Sequence, residues 1–468
     1  MPEKANLILG PVVGGLSHER VNLWARADRP STLHAWLGTK KDLGDAERAG
    51  KQRLTNSTGY AGAILVEKLR PGTTYYYALT LEPHLRPPKH VFRSFKTFPL
   101  PGRKKPVRFA FGSCFRPGKT DPGLAFQHIE QNAGPLSFMI LEGDQIYADE
   151  FEYNSLGRAA ASLDDYRAVY RNTWQNGHLR ELMSHTPMFM TLDDHEVDND
   201  WRWLDFEYTK PAIPFYTSWI RWFQGRPRNE RSLTLERTRA ALQAYREHQV
   251  LHAPPLLLPD GTQAYTFEYG ACAFFVMDTR TRRVISRKGR SMLGESQFTA
   301  LTGWLKRVQD LYPVKFIVTS TSFLSHIYLD VTNDRWTGFE IEQDRLLRHL
   351  TMEGIEGVYF LAGDLHSAHA ISAEVYEKGF TPVTVWEFCS SPFEQSLNTL
   401  ALYLDHPAIS PLLRREKRHF VIAEINYGVI EVEFPKGAPP LVKFDLVYNE
   451  QGTWKTRSIV GEAYAAIS

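Results

Sequence analysis

Hydrophobic and polar positions follow two different patterns along the chain. Up to about residue 100 the pattern is one of short alternating stretches. Val21-Asn22-Leu23-Trp24-Ala25-Arg26 puts apolar and polar side chains on opposite faces, as a half-buried strand does. Leu33-His34-Ala35-Trp36-Leu37 repeats it. Residues 74–81 form a β-branched and aromatic run behind the turn pair Pro71-Gly72, and residues 92–98 close the set. No long helical period interrupts them, so residues 1–100 are expected to form a small β-sandwich. Residues 100–106, rich in Pro, Gly and charge, read as a linker. From Val107 onward the pattern becomes strand–loop–helix. Six short apolar runs end in polar residues: 107–111, 138–141, 188–192, 273–277, 316–318 and 358–362. Amphipathic stretches at 163–172, 233–248 and 295–311 predict helices between them. This is an α/β pattern, in which ligands bind beyond the carboxyl ends of the strands. Strands are expected again at 419–426, 428–434 and 441–447, separated by Tyr427-Gly428 and Pro435-Lys436-Gly437.

Composition narrows the function classes. Lys and Arg total 55 against 53 Asp and Glu, so the formal charge of +2 gives no global basic excess for nucleic-acid binding. Hydrophobic residues make up 43%, enough for a large core rather than a disordered chain. With only Cys114, Cys272 and Cys389, a disulfide framework is excluded. No segment reaches the roughly 18 apolar residues of a membrane span. Residues 1–11 lack a basic stretch followed by an apolar one, so the expectation is a cytoplasmic chain as written. If a signal has been removed, the location becomes periplasmic or secreted.

The strand ends carry the candidate chemistry. In Glu142-Gly143-Asp144-Gln145-Ile146-Tyr147, Gly143 permits a tight turn and Asp144 offers two oxygens able to bridge a pair of metal ions. Tyr147, three residues on, can bring a phenolate to ferric iron; a helix cap and a packed ring are the plainer reading. Residues 193–200 hold four Asp and Glu196 around His195, a crowding that requires cations or full solvation. Asp364 and His366, two apart, share one side of an extended backbone. Cys114 offers a thiolate ligand, a nucleophile or an inert buried thiol. Cys272 reads as core, and Cys389 as core or loop packing. Asp278-Thr279-Arg280 brings an arginine suited to bidentate phosphate contact, with a solvated basic loop as the alternative. A phosphate-binding loop of the G-x-x-x-x-G-K-[ST] type and a G-x-S-x-G nucleophile elbow are both absent. Trp201-Arg202-Trp203 and Trp219-Ile220-Arg221-Trp222 offer aromatic packing for a core, a lid or a pocket.

Taken in order, these motifs resemble the PhoD-like (alkaline phosphatase D) metallophosphatases. The matching residues are Phe111-Gly112-Ser113-Cys114, Gly143-Asp144-x-x-Tyr147, Asp193-Asp194-His195-Glu196-x-x-Asn199, Asp278-x-Arg280, Leu293-Gly294-x-x-Gln297 and Gly363-Asp364-x-His366. The run Tyr166-Arg167-x-x-Tyr170-Arg171-x-x-Trp174 is also similar. Separately, Leu69, Pro71, Thr73, Tyr75 and Tyr77 resemble the spacing of fibronectin type III modules.

The family resemblance implies an αββα metallophosphatase sandwich over 107–468, preceded by a fibronectin-like or Ig-like β-sandwich over 1–100. It implies Fe(3+) held by Cys114, Asp144, Tyr147 and His366. It also implies a second divalent ion, calcium with magnesium or manganese as substitutes, held by Asp144, Asp194, Asn199 and Asp364. The expected activity is hydrolysis of phosphomonoesters, phosphodiesters or both by a metal-activated water. His195 is then read as protonating the leaving group or steadying the phosphoryl group, and Arg280 as clamping a non-bridging oxygen of a small phosphate-ester substrate. The alternatives are a phospholipase D-type phosphodiesterase and a non-catalytic binding protein with a degenerate centre. Two features depart from the family pattern. No twin-arginine signal is visible, and Thr319-Ser320-Thr321-Ser322 has no histidine where related metallophosphatases often place one.

Overall fold

The computed structural model describes residues 4–83, 92–117, 123–150, 154–201, 233–286, 289–327, 334–407 and 410–462. Phenylalanine builds its middle layer. In the strand Val107–Gly112, Phe109 and Phe111 point to one side of the sheet and Ala110 to the other. Phe109 meets Phe274 and Phe316 of a second sheet edge-on, with ring centroids 5.6 and 5.3 Å apart. Such edge-to-face pairs are worth roughly 0.5–1.5 kcal/mol each beyond burial. They seal the two sheets face to face.

The first sheet has nine strands. Its order is Thr453–Glu462, Leu441–Glu450, Ile425–Glu433, Val107–Gly112, Met139–Leu141, Met188–Met190, Leu7–Gly14, Val21–Ala27 and Ala61–Val66. The second has seven: Tyr265–Tyr269, Cys272–Val276, Val314–Thr319, Val358–Ala362, Val383–Cys389, Ala368–Val375 and Leu413–Ile422. At the centre of each sheet the strands run parallel. The outward residues Ala110, Met139 and Leu141 share a core with Leu124–Asn132, Leu163–Trp174, Gly177–His185 and Leu235–His248. On the other side, Phe275, Ile317 and Phe360 pack with Gly294–Val308 and Glu340–Met352. The layers therefore run helix, sheet, sheet, helix.

The expected helices are present, and caps set their starts. Ser162 Oγ accepts from Asp165 N while Asp165 accepts from Ser162 N, so one helix begins at Leu163. Thr234 accepts from Arg237 N, which starts the next at Leu235 rather than at 233.

Two sequence expectations are corrected. The segment 419–426 is not one strand: Leu413–Ile422 lies in the seven-stranded sheet and Ile425–Glu433 in the nine-stranded one. Tyr427-Gly428 is not a turn but part of the second of these strands. A Cβ on Gly428 would lie 2.2 Å from the Phe111 ring, so this glycine makes room for an aromatic rather than bending the chain.

Three strands of the first hundred residues extend the nine-stranded sheet. Glu47–Leu54, Ser31–Gly38, Thr74–Thr80 and Arg93–Lys96 form a separate four-stranded sheet. Leu33, Tyr77 and Phe95 of that sheet share a core with Leu23, Ala25 and Ile64 of the first. Trp201 is buried in the outer core. Trp203, Trp219 and Trp222 lie outside the described residues. Among the described residues, no helix is long and apolar enough to cross a membrane.

Candidate metal centre

The six apolar runs end at one edge, three from each sheet, and their loops converge there. Close approach is possible because two of the loops lack a side chain. Gly143 has φ 92°, and a Cβ there would sit 2.3 Å from the Asp193 Cβ. A Cβ on Gly363 would sit 2.4 Å from Ser113 Oγ. The loops also carry strain. Cys114, Asp144, Asp364 and His366 all adopt left-handed backbone, with φ of 62°, 54°, 67° and 51°. Asp and His tolerate that region better than Cys, so Cys114 carries the clearest cost, on the order of 1–3 kcal/mol.

The strained loops turn their donors toward one another. Cys114 Sγ lies 3.4 Å from Asp144 Oδ2, and Tyr147 Oη is 3.3 Å from both Asp144 Oδ2 and His366 Nε2. The donor atoms of Cys114, Asp144 and His366 all fall within 4.8 Å of one another. Asp144 also belongs to a second grouping of that spacing, with Asp193, Asp194 and Asp364. Asp144 is thus the shared corner of two donor sets.

Without a cation, Asp144, Cys114, Tyr147 and Asp364 resist ionisation. Burial first, then the Cys114, Asp194 and Asp193 charges, hold the Asp144 carboxyl well above the usual carboxylate range. Burial, with Asp364 adding to it, pushes the Cys114 thiol up to about 12. Tyr147 is raised by burial and by the same sulfur. Asp364 is raised by loss of solvent, then by Asp193 and Asp334. His366 moves the other way, down to about 4 through burial and the neighbouring His195, and so offers a neutral nitrogen. Asp193 Oδ2, Asp194 Oδ1 and both Glu142 oxygens are buried with no hydrogen-bond partner. Thiolate, phenolate, imidazole and several carboxylates with orphaned oxygens fit a cation site.

The surroundings brace the donors. Glu196 accepts from Asp193 N, Asp144 N and Gln145 N, at 2.9, 3.2 and 2.6 Å, and so ties the two acidic loops together. Burial still raises its carboxyl to about 7. Ser391 donates to Cys114 Sγ at 3.3 Å. Thr321 donates to Asp364 Oδ2 at 3.1 Å, and Ser320 to Asp193 Oδ1 at 2.7 Å. The Thr-Ser-Thr-Ser loop therefore supplies hydroxyls that position acids.

Arg280, expected from the sequence to clamp a phosphate, is enclosed by carboxylates. Its side chain is 0% exposed and its fork already grips Asp334, at 2.6 and 3.1 Å. Nε bonds to Asp193, and Nη2 lies 3.5 Å from Asp194 Oδ1. An arginine among buried acids is drawn to carboxylates, and here it braces two of them. Asn199 is exposed, and its amide donates to Asp200 at 2.7 Å. Asp200 N in turn donates to Asp194 Oδ2, so Asn199 sits one residue removed from the acidic group.

The PhoD-like phosphatase family model matches residues 109–438. The chain belongs to that family. It is similar to alkaline phosphatase D of Bacillus subtilis (strain 168), at 25% identity over 378 residues, covering 73% of this chain. The chain spans only 59% of that relative's length. Its fold is similar to a solved structure of PhoD, with a TM-score of 0.74 at 20% identity, over 97% of this chain and 90% of that one. It is also similar to a purple acid phosphatase from yellow lupin (Lupinus luteus) seeds, with a TM-score of 0.62 at 12% identity, over 96% and 73% of the two chains. Within this PhoD-like fold, sequence reading missed three residues at the centre. Asp149 accepts from His195 Nδ1 at 2.7 Å and is fully buried. It lies five residues after Asp144, a spacing with no helix or strand phase to mark it. Asp193 belongs to the acidic cluster of the sequence but stands outside the ligand set that the resemblance implies. Asp334 carries no strand-end or motif signal at all.

Proposed function

We propose that the protein is a metal-dependent phosphoric ester hydrolase acting on phosphomonoesters, phosphodiesters or both. The observation that carries this reading is the pair of donor sets meeting at Asp144, in which burial raises Asp144, Cys114 and Asp364 in the absence of a cation while His366 stays neutral. We assign Fe(3+) to Cys114, Asp144, Tyr147 and His366, a set with thiolate and phenolate character. We assign a second, hard divalent ion, calcium with magnesium or manganese as substitutes, to Asp144, Asp194, Asn199 and Asp364. When bound, such ions neutralise phosphoryl oxygens and activate the attacking water. A small phosphate ester is the substrate. We further divide the chain into a β-module over 1–100 and a catalytic domain over 107–468. The first continues the sheet of the second through Leu7–Gly14.

His195 acts as general acid in this scheme. Asp149 occupies its Nδ1, so the proton for the leaving oxygen sits on Nε2. Burial disfavours the charged ring, but Asp149 and then Asp194 outweigh it and raise His195 well above its ordinary value. Asp149→Asn should therefore slow alkyl phosphate esters by about 10- to 100-fold. It should leave p-nitrophenyl esters nearly unchanged, because p-nitrophenolate departs without a proton. Equal losses on both ester types would remove His195 from this role.

The reading as a whole is tested by elemental analysis together with turnover of p-nitrophenyl phosphate and bis-p-nitrophenyl phosphate. Iron plus a second divalent ion, with turnover of either ester, is the expected result. A protein loaded with both ions that turns over neither ester is not this enzyme.

A further inference from the structure

Beside bound metal ions, a cationic side chain can hold the oxygens of an anionic substrate that the metals leave free, and Arg280 is enclosed by Asp193, Asp194 and Asp334. Arg116 is placed differently. It follows Cys114 by two residues on the same loop. The loop is fixed by Arg116 N donating to Glu394 O at 2.8 Å and by a bridge between Phe115 and Glu394. The side chain is partly exposed. Nη1 meets Glu150 Oε2 at 2.5 Å and Nη2 meets Ser396 Oγ at 3.3 Å. The two charged side chains of this pair are 16% and 18% exposed. Ser396 also accepts through its backbone from the His366 ring, and Asn398 N donates to His366 O at 2.9 Å. The Arg116 charge is felt at His366 and the Glu150 charge at His195.

We propose that Arg116 contacts the non-esterified oxygens of the substrate phosphate, and that Glu150 occupies its fork until the phosphate displaces it. This rests on the phosphoesterase reading above. A guanidinium fork binds phosphate by the same paired geometry with which it binds carboxylate, so one oxyanion can replace the other without rebuilding the loop. No bond forms or breaks in the exchange. Glu150 competes with the phosphate, and the two residues therefore have opposite effects on its affinity.

That opposition is the test. The probe is inorganic phosphate, titrated calorimetrically into the metal-loaded full chain, with the metal content of each variant measured first. R116Q should weaken phosphate binding by about 10- to 100-fold, the worth of a hydrogen bond to a charged group. R116K should recover part of the loss, since it keeps the charge but not the fork. E150Q should strengthen binding several-fold, because it removes the competitor. A purely structural ion pair predicts the same direction for both variants, so weakening in both overturns the proposal. Indifference of phosphate affinity to both, or no phosphate binding by the unmodified chain, overturns it as well. If R116Q does not fold, E150Q still decides through its sign. Opposed effects on binding in a chain that hydrolyses neither p-nitrophenyl ester would overturn the hydrolase reading and leave the Arg116 contact standing.

Discussion

Asp144→Asn should abolish hydrolysis and at the same time make the metal-free protein more stable. Asp144 is the corner common to both donor sets, so the amide removes a ligand from each. The loss in kcat/KM should be on the order of 10³-fold, exceeding the 10- to 100-fold cost of residues that only orient ligands. The stability change follows from charge. In the metal-free protein the carboxyl is fully buried among Cys114, Asp194, Asp193 and Glu196, all of which disfavour its ionised form. A neutral amide of the same shape removes that penalty. It can still meet the Tyr147 hydroxyl and the Cys114 sulfur. Calorimetry should show a higher Tm for metal-free D144N than for the metal-free parent, and a smaller rise in Tm on adding metal. A lower Tm in metal-free D144N would mean that Asp144 is a structural residue, and the assignment of the centre would fail with it. Function held at a cost in stability is the usual signature of a site built for a ligand.

Stripping the metal should make stability fall steeply with pH. Asp193 is raised from 3.8 to about 6 by burial, and Glu196 from 4.5 to about 7 by burial. Asp144 and Asp364 are raised further. A raised carboxyl keeps its proton in the folded chain after the unfolded chain has lost it. The folded state then binds more protons, and stability declines as pH rises. For Asp193 and Glu196 the decline starts near 3.8–4.5 and is complete at about 7. Asp334 opposes this trend, since Arg280 and Arg283 overcome its burial and hold it low. Its contribution is lost only under strong acid, below that window. Bound cations remove the need for the protons, so the metal-loaded protein should lack the decline. It should also gain about 4 kcal/mol when free metal exceeds its Kd a thousandfold. Thermal melts from pH 5 to 8, with and without metal, check both curves. A metal-free protein that gains stability over this range would contradict the picture of an acidic centre waiting for cations.

Much of the candidate centre was legible because its parts are local. Cys114, Asp144, Tyr147, Asp194, His195, Asp364 and His366 each stand within a few residues of an apolar run, and strand ends in α/β folds are where ligands bind. Chain order and spacing were enough to collect them into a family resemblance, and the family match over 109–438 bears out that family. The strands and helices were legible for a similar reason, since periods of 2 and 3.6 are local properties. The misplaced turn at Gly428 shows the limit. A glycine signals either a bend or a close neighbour, and only the Phe111 ring across the sheet distinguishes them.

Partnership between distant charges was decided by the tertiary structure. An arginine beside an acidic motif looks the same in sequence whether it faces substrate or is enclosed. Arg280 is enclosed because Asp334, 54 positions away, folds onto its fork. Asp149 finds His195, and Glu196 ties the Asp193 and Asp144 loops together, through pairings that no periodicity encodes. The division of the six strand ends into three from each sheet was equally hidden, since apolar runs do not name their neighbours. By itself, the sequence determined which residues have the chemistry of a metal centre. Only the face-to-face packing of the two sheets, which brings their loops together at one edge, decided which of those residues meet, because electrostatics and hydrogen bonding depend on distance in space and not along the chain.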